Sequence, residues 1–177
     1  MYLPTPLPKT PVGALTLVIV AELEVRQSRF GAPAAKHLVA LAQDELTQRY
    51  GSGDANPIEA VQFDPPEGAF LIAWLDGKAV GCGGWRSLSD DGGEPTGTAE
   101  IKRMYVLPDM RGSGVATALM AAIEDSAREH EMRQLVLETG LKQPEAICLY
   151  EKLGYSRIPN YGHYKDAPDC VSFGRAL

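Results

Sequence analysis

The sequence predicts a single α/β domain with a mixed sheet and helices on both faces, on three observations. Apolar stretches of strand character alternate with amphipathic stretches of helical period along the chain. Asp76-Gly77 lies between two apolar runs and marks a tight hairpin. Between Glu100 and His130 a strand, a short glycine loop and a long amphipathic helix follow one another. The length of 177 residues suits one domain with a substantial core, and no internal repeat points to a second. Residues 1–11, with Pro4, Pro6, Pro8 and Pro11, read as an extended arm, leaving residues 12–177 as the domain.

The elements follow in order. Val12 to Ala21 is too short to span a bilayer and lacks the basic start and small-residue cleavage site of a signal peptide. It reads as a first buried strand. From Ala32 to Tyr50, Leu38, Leu41, Ala42 and Leu46 mark an amphipathic helix that Gly51-Ser52-Gly53 ends. Asp54 to Gly68 holds Pro57, Pro65 and Pro66 without a clear period, the pattern of a surface loop or short helical turn. Ala69 to Leu75 and Lys78 to Leu88 are the two arms of the hairpin. Gly81, Gly83 and Gly84 mark a bulge or a close approach in the second arm. After a polar loop, Glu100 to Leu107 forms a strand that Pro108 stops. Val115, Leu119, Ile123 and Ala127 give the next helix its apolar face, with Glu124, Asp125, Arg128 and Glu129 opposite. Gln134 to Glu138 is a buried strand, and Pro144 opens a helix that closes at Gly154. Tyr155 to Tyr164 and Cys170 to Arg175 are expected as two last antiparallel strands.

Composition narrows the function. The formal net charge is −6 and the isoelectric point about 5.1, which argues against broad nucleic-acid binding and is compatible with an amine substrate. Cys82, Cys148 and Cys170 are an odd number without a Cys-x-x-Cys pair, so neither a disulfide framework nor a zinc site is indicated, and a reducing cytoplasm fits. His37, His130 and His163 form no triad or metal spacing, and no metal is expected. Cys148 reads as a small buried apolar residue.

Strand, glycine loop and helix together form a phosphate-binding arrangement: unpaired N–H groups and the positive dipole end face outward, and glycines admit a diphosphate close to the backbone. A dinucleotide fingerprint would need a glycine where Thr117 stands, and a Walker loop would need Gly-Lys-Ser/Thr; neither is present. Instead the chain reads Arg111-Gly112-Ser113-Gly114-Val115-Ala116. This resembles the Arg/Gln-x-x-Gly-x-Gly/Ala signature of the GNAT superfamily of acetyl-CoA-dependent N-acetyltransferases, of bacterial type. Glu-Ile-Lys-Arg-Met-Tyr-Val-x-Pro from Glu100 is similar to the central strand of that family. Gln143-x-x-Ala146-x-x-x-Tyr150-x-x-x-Gly154-Tyr155 resembles its Asn-x-x-Ala-x-x-x-Tyr-x-x-x-Gly-Phe pattern, with Gln143 for asparagine and Tyr155 for phenylalanine. The resemblance covers Phe70 to Leu177.

The resemblance implies a mostly antiparallel, splayed sheet and acetyl-CoA as acetyl donor, used by direct attack of a primary amine in a ternary complex. The backbone from Arg111 to Ala116 (Arg111, Gly112, Ser113, Gly114, Val115, Ala116) would hold the pyrophosphate, with added charge from the Arg111 side chain. An N–H near Met104 or Tyr105 would stabilise the oxyanion, Val106 would support the pantetheine arm, and Gln143 would sit beside the cofactor. A lysine-like amine has a pKa near 10.4 and must lose a proton before it attacks, and Glu100 is the expected general base. The departing thiolate, with a thiol pKa of roughly 8.5, gains from an acid, and Tyr150 is the expected donor. Alternation along the strand places Glu100, Lys102, Met104 and Val106 on one face. Trp85, Tyr161, His163 and Tyr164 are candidates for the acceptor site. The acceptor remains open among a small amine, an amino acid, an aminoglycoside-like compound and a protein amino group. No nucleic acid or membrane partner is expected, and a monomer or homodimer fits the family. The alternative is a non-catalytic acyl-CoA-binding or sensing module with the same fold.

Overall fold

The computed structural model describes residues 22–88 and 96–177. The proline-rich arm and the strand expected over Val12–Ala21 lie outside the described residues. The first described strand, β1, is Leu23–Ser28, followed by helix α1 over Pro33–Tyr50, which Gly51 caps in the left-handed conformation (φ 84°). A 3₁₀ turn at Ala60–Phe63 precedes strands β2 (Gly68–Leu75) and β3 (Lys78–Ser87). Asp76 and Gly77 take positive φ, as the hairpin dipeptide requires. Strand β4 (Thr98–Val106) leads through the glycine loop to helix α2 (Val115–Glu129) and strand β5 (Gln134–Gly140). Helix α3 (Pro144–Lys152), short strand β6 (Ser156–Ile158) and strand β7 (Cys170–Ala176) complete the chain. The expected long strand from Tyr155 to Tyr164 is thus limited to three residues.

Among the described residues seven strands form one sheet in the order β1-β2-β3-β4-β5-β7-β6, in which only β4 and β5 run parallel. Alternate residues of β2 separate two cores. Ala69, Leu71 and Ala73 pack with Leu119, Met120 and Ile123 of α2 and with Tyr150, while Phe70 and Ile72 pack with Ala35 and Leu38 of α1. Helices therefore cover both faces. Glu124 departs from the expected solvent-facing set on α2: it is buried and accepts hydrogen bonds from Tyr155 Oη at 3.1 Å and Arg175 Nη1 at 2.8 Å.

Two irregularities position the site. The β4–β5 ladder pairs Thr98, Ala99 and Glu100 with Gln134, Leu135 and Val136, and no further. Beyond it the two strands part. On the other side of β4, Cys82 pairs with Tyr105 and Gly84 with Lys102, so Arg103 and Met104 together oppose Gly83. Arg103 takes φ 58°, a left-handed value uncommon for arginine. This bulge needs the opposing glycine, because a Cβ on Gly83 would lie 2.3 Å from Met104 Sδ. The bulge also corrects the expected alternation. Ala99 and Ile101 point into the α2 core, and after the extra residue Met104 and Val106 do so too, whereas Glu100 and Lys102 lie on the α1 face.

Candidate active site

Where β4 and β5 diverge, a cleft of about 370 Å³ opens between them. Its walls come from β4 (Ile101 to Tyr105), the end of β5 (Glu138, Thr139, Gly140), α3 (Gln143, Ala146, Tyr150) and the inner side of α1. Ser52–Asp54 and Tyr164 close one end, with Ala167 to Cys170. A gap at the carboxyl ends of adjacent parallel strands is where ligands bind in open α/β sheets. Because the ladder stops at Glu100, the β5-facing backbone groups of Ile101 to Val106 have no strand partner, and Met104 and Tyr105 line the opening there. That is the polar backbone edge that an oxyanion or a pantetheine amide needs. Val106 lies instead in the α2 core.

Tyr150 is 5% exposed, lines the cleft, and packs edge-on against Tyr155 at a centroid distance of 5.9 Å and tilted against Phe173 at 6.0 Å. Burial pushes its phenol well above the ordinary range, so it keeps its proton at any pH the protein meets. Gln143 stands at the same wall, just ahead of Pro144.

The glycine loop leads onto the N-terminus of α2. Gly112 and Gly114 have φ of 77° and 91°, and a Cβ at either would meet nothing, so backbone conformation rather than crowding calls for glycine there. The first helical bond runs from the Ala118 N–H to Gly114 O, leaving the N–H groups of Val115, Ala116 and Thr117 ahead of it, as at any helix start. The Val115 side chain is buried in the core. Ser113 Oγ donates to Met110 O at 2.6 Å. Arg111 donates to Val106 O at 3.1 Å and to Glu45 Oε2 at 2.6 Å, with its guanidinium 5.8 Å from the Tyr105 ring centroid. The charge expected to assist at the pyrophosphate is therefore shared with a carboxylate.

Glu100 occupies a different place from the one its expected role needs. It is 2% exposed and lies outside the cleft lining. Arg86 donates from Nε at 3.0 Å and Nη2 at 2.9 Å to Oε2, while Lys102 Nζ at 2.9 Å and Tyr161 Oη at 3.1 Å reach Oε1. Four donors occupy the roughly four lone-pair sites of a carboxylate. The carboxylate that does line the cleft is Glu138, held by Lys102 Nζ at 3.2 Å and by the Tyr164 N–H at 3.3 Å. Glu138 escaped sequence reading because it ends an otherwise apolar strand; its position at the tip of the parallel pair was the available signal. Arg103, Asp54 and Thr139 line the cleft too and were equally unforeseen.

Of the acceptor-site candidates, Tyr164 lines the cleft, and its hydroxyl donates to Asp54 Oδ1 at 2.9 Å. Tyr161 is tied to Glu100, and His163 stacks edge-on against Tyr164. Trp85 is fully buried and donates to Ser126 Oγ at 3.1 Å, a core residue. Cys148 is exposed rather than buried. Among the described residues there is no cluster suited to a metal ion, and no helix is long and apolar enough to cross a membrane.

The family model described as "Acetyltransferase (GNAT) family" matches residues 35–155. An IAA acetyltransferase of Azospirillum brasilense is 38% identical over 60% of this chain and 65% of its own length. Human N-acetylaspartate synthetase is 34% identical over 63% of this chain and 35% of its own length. The chain thus spans less than two thirds of each of these curated relatives. Among solved structures, an acyl-CoA N-acyltransferase from Klebsiella pneumoniae superposes with a TM-score of 0.71 at 29% identity, covering 88% of this chain and 97% of the other. A GNAT family acetyltransferase from Elizabethkingia anophelis with acetyl-CoA bound has the same fold, with a TM-score of 0.62 at 19% identity over 88% of this chain and 98% of the other.

Proposed function

The chain belongs to the acetyltransferase (GNAT) family, and we propose that it transfers an acetyl group from acetyl-CoA to a primary amine by direct attack, with both reactants held between β4 and β5. One observation carries the reading: the parallel ladder ends after Glu100 and Val136, and the gap beyond holds a protonated tyrosine and a carboxylate.

The residues divide the work as follows. The N–H groups at the start of α2, presented by Gly112, Ser113 and Gly114 and followed by Val115 and Ala116, receive the diphosphate, with Arg111 beside them. The unpaired backbone edge at Met104 and Tyr105 takes the pantetheine arm and polarises the thioester carbonyl, with Gln143 at the facing wall. Tyr150 donates a hydrogen bond to the leaving sulfur. Burial keeps the hydroxyl protonated, so it stabilises the developing thiolate, and with a thiol pKa of roughly 8.5 the sulfur leaves as the thiolate and takes its proton from solvent. Glu138 takes the proton of the amine. On β5 it lies on the face opposite Leu137, which packs in the same core cluster as Tyr150, so base and acid approach the cleft from opposite faces of the sheet. Glu100, the base expected from the sequence, instead fixes Lys102, which in turn holds Glu138. Glu138 is thereby held by a buried ion-pair chain that runs through Lys102 and Glu100 to Arg86.

The test has two stages. A thermal melt with acetyl-CoA, CoA and NADH distinguishes the ligands: acetyl-CoA at 100 times its dissociation constant adds about 2.7 kcal/mol, roughly 5–10 °C at this size, and NADH adds nothing. An amine screen reading thiol release then separates an enzyme from an acyl-CoA sensor. Binding without turnover on any amine makes the chain a sensor, and no binding removes the reading.

A further inference from the structure

Arg103 is the least satisfied cation of the cleft. Its side chain is 6% exposed, its Nη1 pairs with Asp54, and its Nε is buried with no hydrogen-bond partner among the described residues. A guanidinium carries five donors, and burying them without acceptors is costly. The residue is also held in left-handed backbone conformation at the bulge, a strain that concentrates at functional sites. The same bulge sets Arg103 into the cleft lining. Burial without full compensation lowers its proton affinity. Two charged neighbours complete the surroundings. Tyr164 links them: its hydroxyl donates to Asp54, the partner of Arg103, and its backbone N–H donates to Glu138. A cation with a spare donor and the proposed proton acceptor therefore line one cleft, linked through Asp54 and Tyr164.

Resting on the acetyl-transfer reading above, we infer that Arg103 reads an anionic group on the acceptor, so the acceptor is a small amine that also carries a carboxylate, with its ammonium at Glu138 and its carboxylate at the Arg103 guanidinium. The charges match. Lys102 is shared between two carboxylates, Glu100 and Glu138, whereas Arg103 has one, Asp54, and an Nε without a partner among the described residues, so Arg103 has the donor to spare for an incoming anion. A planar guanidinium meets a carboxylate with two parallel hydrogen bonds, a geometry a simple alkylamine cannot use. Asp54, on a loop without regular structure, keeps Arg103 neutralised until the acceptor arrives.

The experiment compares L-amino acids with their α-amides as acceptors, reading thiol release, with acetyl-CoA binding measured separately on each variant. The wild type is expected to prefer the carboxylate member on the order of 10- to 100-fold in kcat/KM, the size of a lost charge-assisted hydrogen bond. Arg103→Met is expected to erase that preference, chiefly through the KM of the carboxylate acceptor. Should Arg103→Met fail to fold, Arg103→Lys, which keeps the charge but loses the fork, is expected to shrink the preference without abolishing it. Equal use of acids and amides by the wild type overturns the inference, as does a preference unchanged in Arg103→Met or Arg103→Lys. If acetyl-CoA does not bind at all, the acetyl-transfer reading itself fails and takes this one with it.

Discussion

The seam between β4 and β5 has two halves that face opposite demands. Over Thr98–Glu100 and Gln134–Val136 the strands are paired, with Ala99 and Leu135 fully buried between the ladder and α2. Over Ile101–Val106 and Leu137–Gly140 they part, and of the buried side-chain polar atoms without a partner among the described residues, two, Arg103 Nε and Thr139 Oγ1, belong to residues lining this gap. The paired half satisfies its backbone and excludes water. The parted half leaves backbone and side-chain groups unpaired, which costs stability and is what a ligand can repay. Stability and reactivity are thus written into successive residues of one strand, divided at Glu100.

If that division is right, substitutions on the two sides should fail differently. The largest effect is expected for Glu100→Gln, which leaves Arg86 and Lys102 buried without their shared carboxylate. The loss should be about 3–5 kcal/mol, a fall of roughly 10 °C in melting temperature for a domain of this size. A melt checks it, and an unchanged melting temperature with a collapsed kcat would return Glu100 to the base role. Tyr150→Phe belongs to the other half. It should leave the melt nearly unmoved and lower kcat by on the order of 100-fold. Because burial raises the Tyr150 pKa, the neutral acid persists as pH rises, so kcat should show no fall due to this group between pH 8 and 10. A titration of kcat in that window, lost in Tyr150→Phe, would contradict the assignment.

Smaller effects sharpen the picture. Gly114→Ala forces a side chain into left-handed backbone and should cost about 1–2 kcal/mol, with a rise in the KM for acetyl-CoA if the loop geometry serves the diphosphate. Within the sheet, burial raises the Cys82 thiol to about 12 from an ordinary value near 9. The unfolded chain then releases this proton first as pH rises, so stability is fully present below pH 9 and declines toward pH 12. The slope for one such group is about 1.4 kcal/mol per pH unit. Cys82→Ala should flatten this part of a denaturant-stability profile, and an equal slope in the variant would locate the titration elsewhere.

Much of this was legible in the sequence, where local chemistry decides. Helical period, Pro144 at a helix start and Gly51 at a helix end placed α1, α2 and α3, and Asp76-Gly77 placed the hairpin. The edge strand Leu23–Ser28 was missed because its Glu24 and Arg26 face solvent and interrupt the apolar pattern. The bulge at Arg103 was invisible on β4 itself, where no glycine marks the positive φ; its trace lay on β3, in Gly83. That one residue moved Met104 and Val106 to the other face from Glu100 and Lys102. Glu124 and Glu100 stand elsewhere than expected, and Arg103 went unread, for a shared reason: a charged residue reads as surface or as catalyst, and long-range ion pairing decides which burial it accepts. Glu138 and Asp54 became visible only once the topology brought β5 and the loop after α1 to the same cleft.

The central claim is that the parted half of the seam is where acetyl-CoA binds. Amide hydrogen exchange with and without saturating acetyl-CoA tests it most directly. Slowed exchange confined to residues 101–106, 112–117 and 137–140, with 98–100 and 134–136 already slow in both states, is the predicted result. Binding that leaves those segments unchanged and protects another part of the chain would contradict the account.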